Sequence, residues 1–518
     1  MRRSPKENIS TPPLAPPDTA ATPRRFPWMA ALCLFFLVRA LPWLLGDLWY
    51  DEVLSLQLFL LPKDSLWEIL RDYRIANNHF LTNCLQWLWL KALPIATGNE
   101  LLFRIPPILC GMATLLVAAR LWRRWLGERL ALCTGFLLAA SPVFAAFAIY
   151  VRGYSLAMLL AALGLTALLL RKERPTPANA TGLLLCCLAL PLVMPSAAVA
   201  PMAFCLALAL FPKAKELPWK RHVLWLLRVL WPVLLGTTLG CAYYLSLWEE
   251  FQKARGESGG WSSGWLVAGH LLLALALHLA PVLGTALLPK KHPDDAHKDD
   301  SRTLSRALAL GVLLAAALIL IAPTAKGHAP FPRVFLPLLP MATLAAALFF
   351  RGSALEDLLA RRLPTVLACA VLPGLLLGAA CDFATHWELS QGHIPQNLLQ
   401  QYYRGDQGCR RWTQRIAQDA DEEDVLPLVA VNATDAPAFL LYWQMQGLPL
   451  SSPSGLPQAF PGNQRLPGLH NALRKGYPLV FLTHGPTELL QLLQAQELPK
   501  DANYTPKGTL EGRTLYAP

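Results

Sequence analysis

The sequence predicts an α-helical, polytopic membrane protein with a small extramembrane α/β domain at its C-terminal end. Of its 518 residues, 54% are hydrophobic and 15% are charged, and the mean hydropathy is +0.35. A water-soluble chain of this length rarely carries so few charges. Apolar runs also recur along the chain, with short basic segments between them. We therefore predict a disordered cytoplasmic tail at 1–26, a transmembrane domain at 27–380 and the extramembrane domain at 381–518.

The tail at 1–26 is rich in proline, threonine and basic residues and has no apolar core. Its positive charge favours the cytoplasmic side of the membrane. The apolar run at 27–45 follows directly, without a convincing small-residue cleavage site after it. We therefore expect this run to be retained as the first span rather than removed as a signal.

Ten apolar runs have the length of a membrane span or nearly so. They cover residues 27–45, 103–121, 130–148, 155–170, 182–211, 223–246, 265–288, 304–322, 332–350 and 364–380. The long run at 182–211 is interrupted at Met194-Pro195-Ser196 and is expected to form two spans with a turn between them. The sequence thus predicts about eleven transmembrane helices.

The basic loops predict the orientation of these helices, because Lys and Arg favour the cytoplasmic side. Eleven spans place all of the basic loops in the cytoplasm, namely 120–129, 171–174, 213–221, 290–302 and 351–362. A full crossing by the apolar segment 80–97 would move them outside, so this segment is predicted to be an interfacial or re-entrant helix at the outer leaflet. The outward side then holds 46–102, 150–154, 249–264, 323–333 and everything after residue 381.

The segment 382–518 has no run of spanning length. Short apolar runs such as 424–431 and 477–483 alternate with helical stretches, a pattern typical of a small α/β domain. Outside the cytoplasm, Cys381 and Cys409 are candidates for a disulfide, which the sequence leaves open. The other nine cysteines lie in or beside apolar segments, without the spacing of metal ligands.

Asp51 and Glu52 stand side by side where the chain leaves its first span. Carboxylates at this place are suited to acid/base chemistry where a membrane lipid meets a water-facing acceptor. Two adjacent acids need not share one role, since one can hold an acceptor or a divalent cation, Mg²⁺ or Mn²⁺, while the other takes a proton. The simpler interpretation is a solvated helix end.

Basic residues on the same outward face are candidates for binding a phosphate, because cationic side chains suit anionic ligands. They are Arg152, Lys326, His328 and Arg333. Lone basic residues at helix ends also anchor a protein at the lipid headgroups. The sequence offers further candidates for positioning a substrate: Tyr50, Asn78, His79, Arg104, Tyr150 and Tyr154. The aromatic ones also fit an interfacial belt.

The order of these motifs resembles that of the polytopic GT-C glycosyltransferases, and in particular the protein O-mannosyltransferase and aminoarabinose (lipid A) transferase-like family. The resemblance covers residues 27–380. It rests on Asp51-Glu52, Asn77-Asn78-His79-Phe80, Arg104-Ile105-Pro106, Ser141-Pro142, Tyr150-Val151-Arg152-Gly153-Tyr154-Ser155-Leu156 and Pro332-Arg333-Val334-Phe335-Leu336-Pro337. His79 stands where the family often has a His-Pro-Pro-like motif, and Val151 stands where an acidic residue is frequent.

The resemblance implies a GT-C fold and inverting transfer of a sugar from a polyprenyl-phosphate donor on the non-cytoplasmic face. It implies that Asp51 activates the acceptor, that Glu52 assists or helps to bind a cation, and that Arg152 and Arg333 lie near the donor phosphate. The acceptor, whether lipid, glycan or protein, and the sugar are left open. The resemblance also implies a bacterial inner membrane, with the N-terminus cytoplasmic and the C-terminal domain periplasmic.

A transporter or flippase of an anionic lipid is the main alternative, because many spans and an outward basic cluster suit it as well. Ion-coupled transporters usually place acidic groups inside the bilayer, whereas the predicted spans contain no Asp or Glu. The sequence therefore favours the enzyme. The net charge of +12 does not indicate nucleic-acid binding, since the Lys and Arg residues cluster in the short connections between spans.

Overall fold

The fold was analysed in a computed structural model of the whole chain. The structure describes residues 28–73, 78–93, 99–210, 219–257, 265, 267–269, 272, 297–324, 330, 332–351, 383, 408–423, 426–431, 435–453, 455–483, 486–499, 504–510 and 513–517. The described residues up to 351 are helical, and those from 408 onward form an α/β unit.

The helical part follows the apolar pattern of the sequence. Its helices are α1 Trp28–Leu44, α2 Tyr50–Leu54, α3 Leu66–Arg71, α4 Phe80–Ala92, α5 Glu100–Leu116, α6 Arg123–Leu126, α7 Glu128–Ala140, α8 Pro142–Phe147, α9 Tyr154–Glu173, α10 Pro177–Val193, α11 Val199–Leu210, α12 Trp219–Ala242, α13 Trp248–Glu257, α14 His297–Thr324 and α15 Leu339–Phe350. Among the described residues, five stretches are long and apolar enough to cross a membrane: Glu100–Leu126, Tyr154–Glu173, Lys220–Lys253, Ser301–Ile321 and Pro332–Phe350.

Prolines set two of the helix boundaries. The predicted break in the 182–211 run is present, since a 3₁₀ turn at Pro195–Ala198 separates α10 from α11. The run at 130–148, expected to be continuous, is interrupted at Ser141. Pro142 begins the next helix there, because its missing N–H is not needed at a first helical position. Most of 265–288 and all of 364–380 lie outside the described residues, so the count of eleven spans stays a prediction.

The segment predicted to be interfacial, 80–97, forms α4 over its first thirteen residues. Two polar side chains of this helix are buried and bound to neighbouring groups. Asn83 donates to the Oδ1 of Asn78 at 2.7 Å, and Gln86 donates to the backbone oxygen of Phe103 at 2.7 Å. This helix therefore packs against protein with a polar face, and its placement at the outer leaflet stays a prediction.

The α/β unit contains α16 Cys409–Glu423, α17 Ala436–Met445, α18 Leu469–Arg474 and α19 Pro486–Ala495, together with β1 Leu428–Val431, β2 Ala459–Pro461, β3 Leu479–Thr483, β4 Thr505–Leu510 and β5 Arg513–Ala517. The sheet order is β2-β1-β3-β5-β4. The first three strands are parallel, and β5 is antiparallel to both β3 and β4. Helices cover both faces, which explains why every residue of β1 and β3 is buried.

The α/β unit packs on the loop that follows α1. One apolar cluster contains side chains from both parts of the chain: Leu48, Val53, Leu56, Leu60, Leu90, Phe103 and Val151 from the helical part, and Cys409, Ala438, Leu441 and Tyr442 from the α/β unit. Cys381 lies outside the described residues, so its disulfide with the buried Cys409 stays a prediction. The cluster surrounds the segment that carries the predicted carboxylate pair.

Candidate active site

Arg104 of α5 holds the turn between α1 and α2. Its buried guanidinium donates to the backbone oxygens of Leu44 at 2.9 Å, Gly46 at 2.7 Å and Asp47 at 3.0 Å. A helix leaves its last backbone oxygens without partners in the helix, so Arg104 acts as a cap for α1. It thereby fixes the direction in which the chain continues to Asp51. Its direct contact with a substrate stays a prediction.

Glu52 is completely buried and joins three segments of the fold. Its Oε2 accepts from the backbone N–H of Trp49 at 2.8 Å and from Arg104 at 3.3 Å. Its Oε1 accepts from the backbone N–H of Val151 at 2.8 Å. Since both oxygens already accept hydrogen bonds from protein, this geometry favours a positioning role over proton transfer or cation binding.

Asp51 is the more accessible carboxylate of the pair. Its Oδ2 lies 3.0 Å from the Nη2 of Arg333, and the two side chains are 16% and 12% exposed. The guanidinium of Arg333 lies 5.0 Å from the centre of the Trp49 ring and hydrogen bonds to Tyr154. The structure thus brings together a predicted acid/base residue and a predicted phosphate ligand that are far apart in the sequence.

Arg152 lies on the other side of Asp51. Its Nη1 donates to the Oγ of Ser55 at 2.7 Å and to the backbone oxygen of Asp51 at 3.3 Å. The Arg152 side chain is buried, and its Nε has no hydrogen-bond partner among the residues that the structure describes. Arg333 thus contacts the carboxylate of Asp51 and Arg152 its backbone oxygen, and both charges act on the nearby His79. Two cationic groups near Asp51 suit an anionic ligand.

His79 lies beside this cationic pair, with its ring 5.4 Å from that of Tyr154. Its Nδ1 accepts from the backbone N–H of Gly153 at 3.2 Å, which assigns the proton to Nε2. That Nε2 is buried and has no partner within the described part of the chain. Burial, followed by the charges of Arg152 and Arg333, holds the pKa of His79 well below its ordinary value. His79 is therefore a neutral hydrogen-bond donor.

Gly153 permits this contact because its backbone approaches His79 closely. A methyl group at this glycine would collide with the Nδ1 of His79 and with the side chain of Val193. Only glycine allows the N–H of residue 153 to reach the imidazole.

The remaining predicted positioning residues line the same region or support it. Tyr150 packs against the Trp49 ring at 5.5 Å, and burial followed by the charge of Asp51 raises the pKa of Tyr50. Asn78 is buried and donates to the backbone oxygen of Asp72 at 2.6 Å. Asn78 thus holds the chain before α4, while its contact with a substrate stays a prediction.

Lys326 and His328 lie outside the described residues, and their phosphate-binding role stays a prediction. Sequence reasoning missed four residues that border the site: Asp47, Glu100, Arg410 and Tyr442. The two acids have a weak signal in the sequence, since Asp47 precedes Asp51 by four residues and Glu100 lies just before the span predicted at 103–121. No local pattern marks the two residues from the α/β unit, because their partners lie more than 300 positions earlier.

A divalent cation at Asp51 would find few further ligands. No three His, Cys, Asp or Glu side chains converge in the described ranges of the chain. Hard cations such as Mg²⁺ take several oxygen ligands. The other nearby carboxylate, that of Glu52, is bound by three donors. The observed contacts thus do not form a cation site, and a cation bound to Asp51 would compete with Arg333.

Comparison with solved structures assigns the fold. ArnT from Cupriavidus metallidurans bound to undecaprenyl phosphate is similar with a TM-score of 0.52 and 14% identity, over 95% of this chain and 97% of that one. The apo state of the same protein gives 0.53 at 14% identity and the same coverage. An oligosaccharyltransferase from Archaeoglobus fulgidus, in complex with Zn and sulfate, reaches only 0.42 at 13% identity, over 95% of this chain and 73% of that one. No family model matches the sequence, and no curated protein matches it.

The chain therefore has the architecture of a polytopic membrane protein of the GT-C fold class. Within that class, its fold is that of ArnT from Cupriavidus metallidurans over nearly the whole length of both chains. The similarity agrees with the GT-C fold that the motif resemblance implies, whereas the number of spans and the domain bounds stay predictions.

Proposed function

We propose that this protein is an inverting membrane glycosyltransferase that uses a polyprenyl-phosphate sugar as donor and an envelope lipid, glycan or protein as acceptor. The observation that carries the proposal is Asp51, a partly exposed carboxylate that pairs with Arg333 and whose backbone oxygen accepts from Arg152. The chain shares its fold with an ArnT that was crystallised with undecaprenyl phosphate, which supports a lipid-phosphate donor. By the topology predicted from the basic loops, the reaction takes place on the non-cytoplasmic face.

In the proposed reaction, Asp51 takes the proton of the acceptor hydroxyl. The acceptor oxygen forms a bond to the anomeric carbon of the sugar as the bond from that carbon to the phosphate oxygen breaks. The electron pair of the broken bond stays on the phosphate. Attack from the opposite face inverts the configuration, and no covalent glycosyl-enzyme is needed.

Arg152 and Arg333 stabilise the negative charge that develops on the departing phosphate. Cationic groups fixed in advance lower the barrier without a general acid, because a phosphate is already a good leaving group. The neutral His79 can donate a hydrogen bond from Nε2 to an oxygen of the donor. Glu52 and Arg104 keep the loop that carries Asp51 in place.

Arg333 has a second role in this proposal, because it pairs with Asp51 when no donor is bound. A donor phosphate would offer the guanidinium another anion. Exchange of Arg333 from carboxylate to phosphate would leave Asp51 available to the acceptor hydroxyl. Donor binding would thus prepare the base for the reaction.

Translocation of an anionic lipid is the second candidate function, and the same two arginines, Arg152 and Arg333, favour it. Translocation requires cationic contacts with a lipid phosphate but no proton acceptor at Asp51. The two functions are therefore distinguished by the fate of activity when the carboxylate alone is removed.

The experiment is transfer from a panel of radiolabelled polyprenyl-phosphate sugars to membrane acceptors in proteoliposomes. Wild type is compared with Asp51→Asn, and Asp64→Asn, at an exposed position of the same segment, is the matched control. We expect Asp51→Asn to lower transfer by roughly 100-fold or more, since a positioned base commonly contributes that much. Asp64→Asn should keep wild-type activity.

Transfer by Asp51→Asn within a few-fold of wild type would reject Asp51 as the base. No transfer by the wild type with any donor would reject the glycosyltransferase proposal. Lipid translocation would then be measured in the same vesicles.

A further inference from the structure

The α/β unit binds the loop of the candidate active site through Arg410, the second residue of α16. Its Nη1 lies 2.6 Å from the Oε2 of Glu100, and its backbone N–H donates to the Oδ2 of Asp47 at 3.1 Å. Its Nε lies 3.7 Å from the Oδ1 of Asp47. The Asp47 and Glu100 side chains are only 2% and 9% exposed, so one arginine neutralises two nearly buried carboxylates.

Tyr442 of α17 makes the second polar contact. Its buried hydroxyl accepts from the backbone N–H of Leu48 at 2.6 Å and hydrogen bonds to Glu100. Gln57 adds a third contact by donating to the backbone oxygen of Pro437 at 2.8 Å. Removal of any of these groups would leave its partner without a hydrogen bond in a poorly hydrated place. Such a loss costs free energy of folding.

These contacts lie on both sides of Asp51 in the sequence. Asp47 and Leu48 come before it, whereas Val53, Leu56 and Gln57 come after it, and all five contact the α/β unit through polar or apolar groups. Arg333, by contrast, reaches Asp51 from the helical part. The distance between this carboxylate and its cationic partners therefore depends on a unit that supplies none of the candidate chemistry.

We propose that Arg410 and Tyr442 are positioning residues for Asp51, so that the docked α/β unit completes the active site. This inference rests on the proposed function. Its physical basis is that the segment 45–57 is held at both ends by the α/β unit, and at its start also by Arg104. A displacement of about 1 Å in a reacting group can lower a rate by roughly 100-fold.

The test replaces Arg410 with Gln. The matched control is Arg465→Gln, which breaks an exposed ion pair with Glu497 on the same unit. Tyr442→Phe is the milder variant, because it removes only the hydroxyl and preserves the ring. Transfer kinetics, binding of polyprenyl phosphate and amide hydrogen exchange are measured for each purified full-length variant.

We expect Arg410→Gln to lower kcat by roughly 10- to 100-fold, because Asp51 loses its alignment. Binding of polyprenyl phosphate should not weaken, since Arg152 and Arg333 are untouched. Tyr442→Phe should lower kcat by a smaller factor, and Arg465→Gln should behave like wild type. Combined with Asp51→Asn, Arg410→Gln should add little further loss, because both changes affect the same step.

Hydrogen exchange tests the positioning without relying on activity. In Arg410→Gln, amides at 47–57 should exchange about tenfold faster, while those of α9 keep their wild-type rates. Unchanged exchange at 47–57, or an unchanged kcat, would overturn the inference. Parallel loss of kcat and of polyprenyl-phosphate binding would do so as well, by indicating general unfolding. Absence of transfer by the wild type would instead reject the proposed function. The hydrogen-exchange result alone would then show whether Arg410 holds the segment 47–57 in place.

Discussion

Arg333 links the two events of the proposed reaction, deprotonation of the acceptor and departure of the phosphate. It contacts the candidate base directly and is also a candidate ligand of the phosphate. Two anions that share one cation compete for it, and the competition is strongest where little water screens the charges. The ion pair of Asp51 and Arg333 is mostly buried, so the competition is measurable.

Removing the charge of Asp51 should therefore have opposite effects on binding and on chemistry. We expect Asp51→Asn to strengthen binding of polyprenyl phosphate by roughly threefold to tenfold, because an ion pair worth about 1 kcal/mol no longer has to break. Arg333→Ala should weaken the same binding. Equilibrium binding to purified protein checks both, with Asp64→Asn as control. Equal or weaker binding by Asp51→Asn would contradict the proposal that Arg333 leaves Asp51 to bind the donor phosphate.

His79 predicts a dependence of stability on pH. Its pKa in the folded state lies well below the ordinary value of about 6.5. As the pH falls below about 6.5, the unfolded chain takes up a proton that the folded chain does not, so stability is lost on the acidic side. Between pH 7 and 5.5 this group alone accounts for about 1 kcal/mol.

Thermal unfolding in detergent at several pH values measures this loss. His79→Gln should reduce the acid sensitivity, because glutamine does not titrate, whereas His470→Gln on the exposed surface of the α/β unit should leave it as in wild type. The same acid sensitivity in wild type and His79→Gln would refute the assignment of a neutral, buried imidazole.

At the scale of elements, α10 and α12 pack with their backbones unusually close. An added methyl group at Gly236 would lie 2.5 Å from the backbone oxygen of Leu184, and one at Gly240 would lie 2.5 Å from that of Leu188. The two glycines are four residues apart, the spacing that lets membrane helices approach closely. This contact fixes the position of α10, whose last residue, Val193, lies against Gly153.

Alanine at Gly236 should therefore destabilise the fold by roughly 1 to 3 kcal/mol through overpacking. Gly182 on α10 is the matched control, because an added methyl group there meets nothing within 4 Å. Gly182→Ala should leave the melting temperature unchanged or raise it, since alanine favours helix. The measurement is the melting temperature of Gly236→Ala beside that of Gly182→Ala. Equal melting temperatures would disprove the close contact between α10 and α12.

For the whole molecule, composition and hydropathy were sufficient to predict the membrane fold. The proline break at Met194-Pro195-Ser196 was also readable, because proline acts locally on the backbone. The pairing of Asp51 with Arg333 was not, since contacts between distant segments depend on how the helices pack. For the same reason, the sequence marks Arg104 only as a candidate for positioning a substrate and does not reveal that it is a buried cap of α1.

The distance along the chain between Asp51 and the residues that hold it has a consequence for biosynthesis. A membrane protein is made from its N-terminus, so the carboxylate loop emerges with the first span, long before its partners. Arg104 arrives with the next described span, Arg333 near the end of the helical part, and Arg410 later still. A chain released before residue 410 would carry Asp51, Arg152 and Arg333 and would still lack the contacts that align Asp51. Under the proposed function, incomplete chains would therefore consume the reactive lipid donor in the same membrane much more slowly than complete ones.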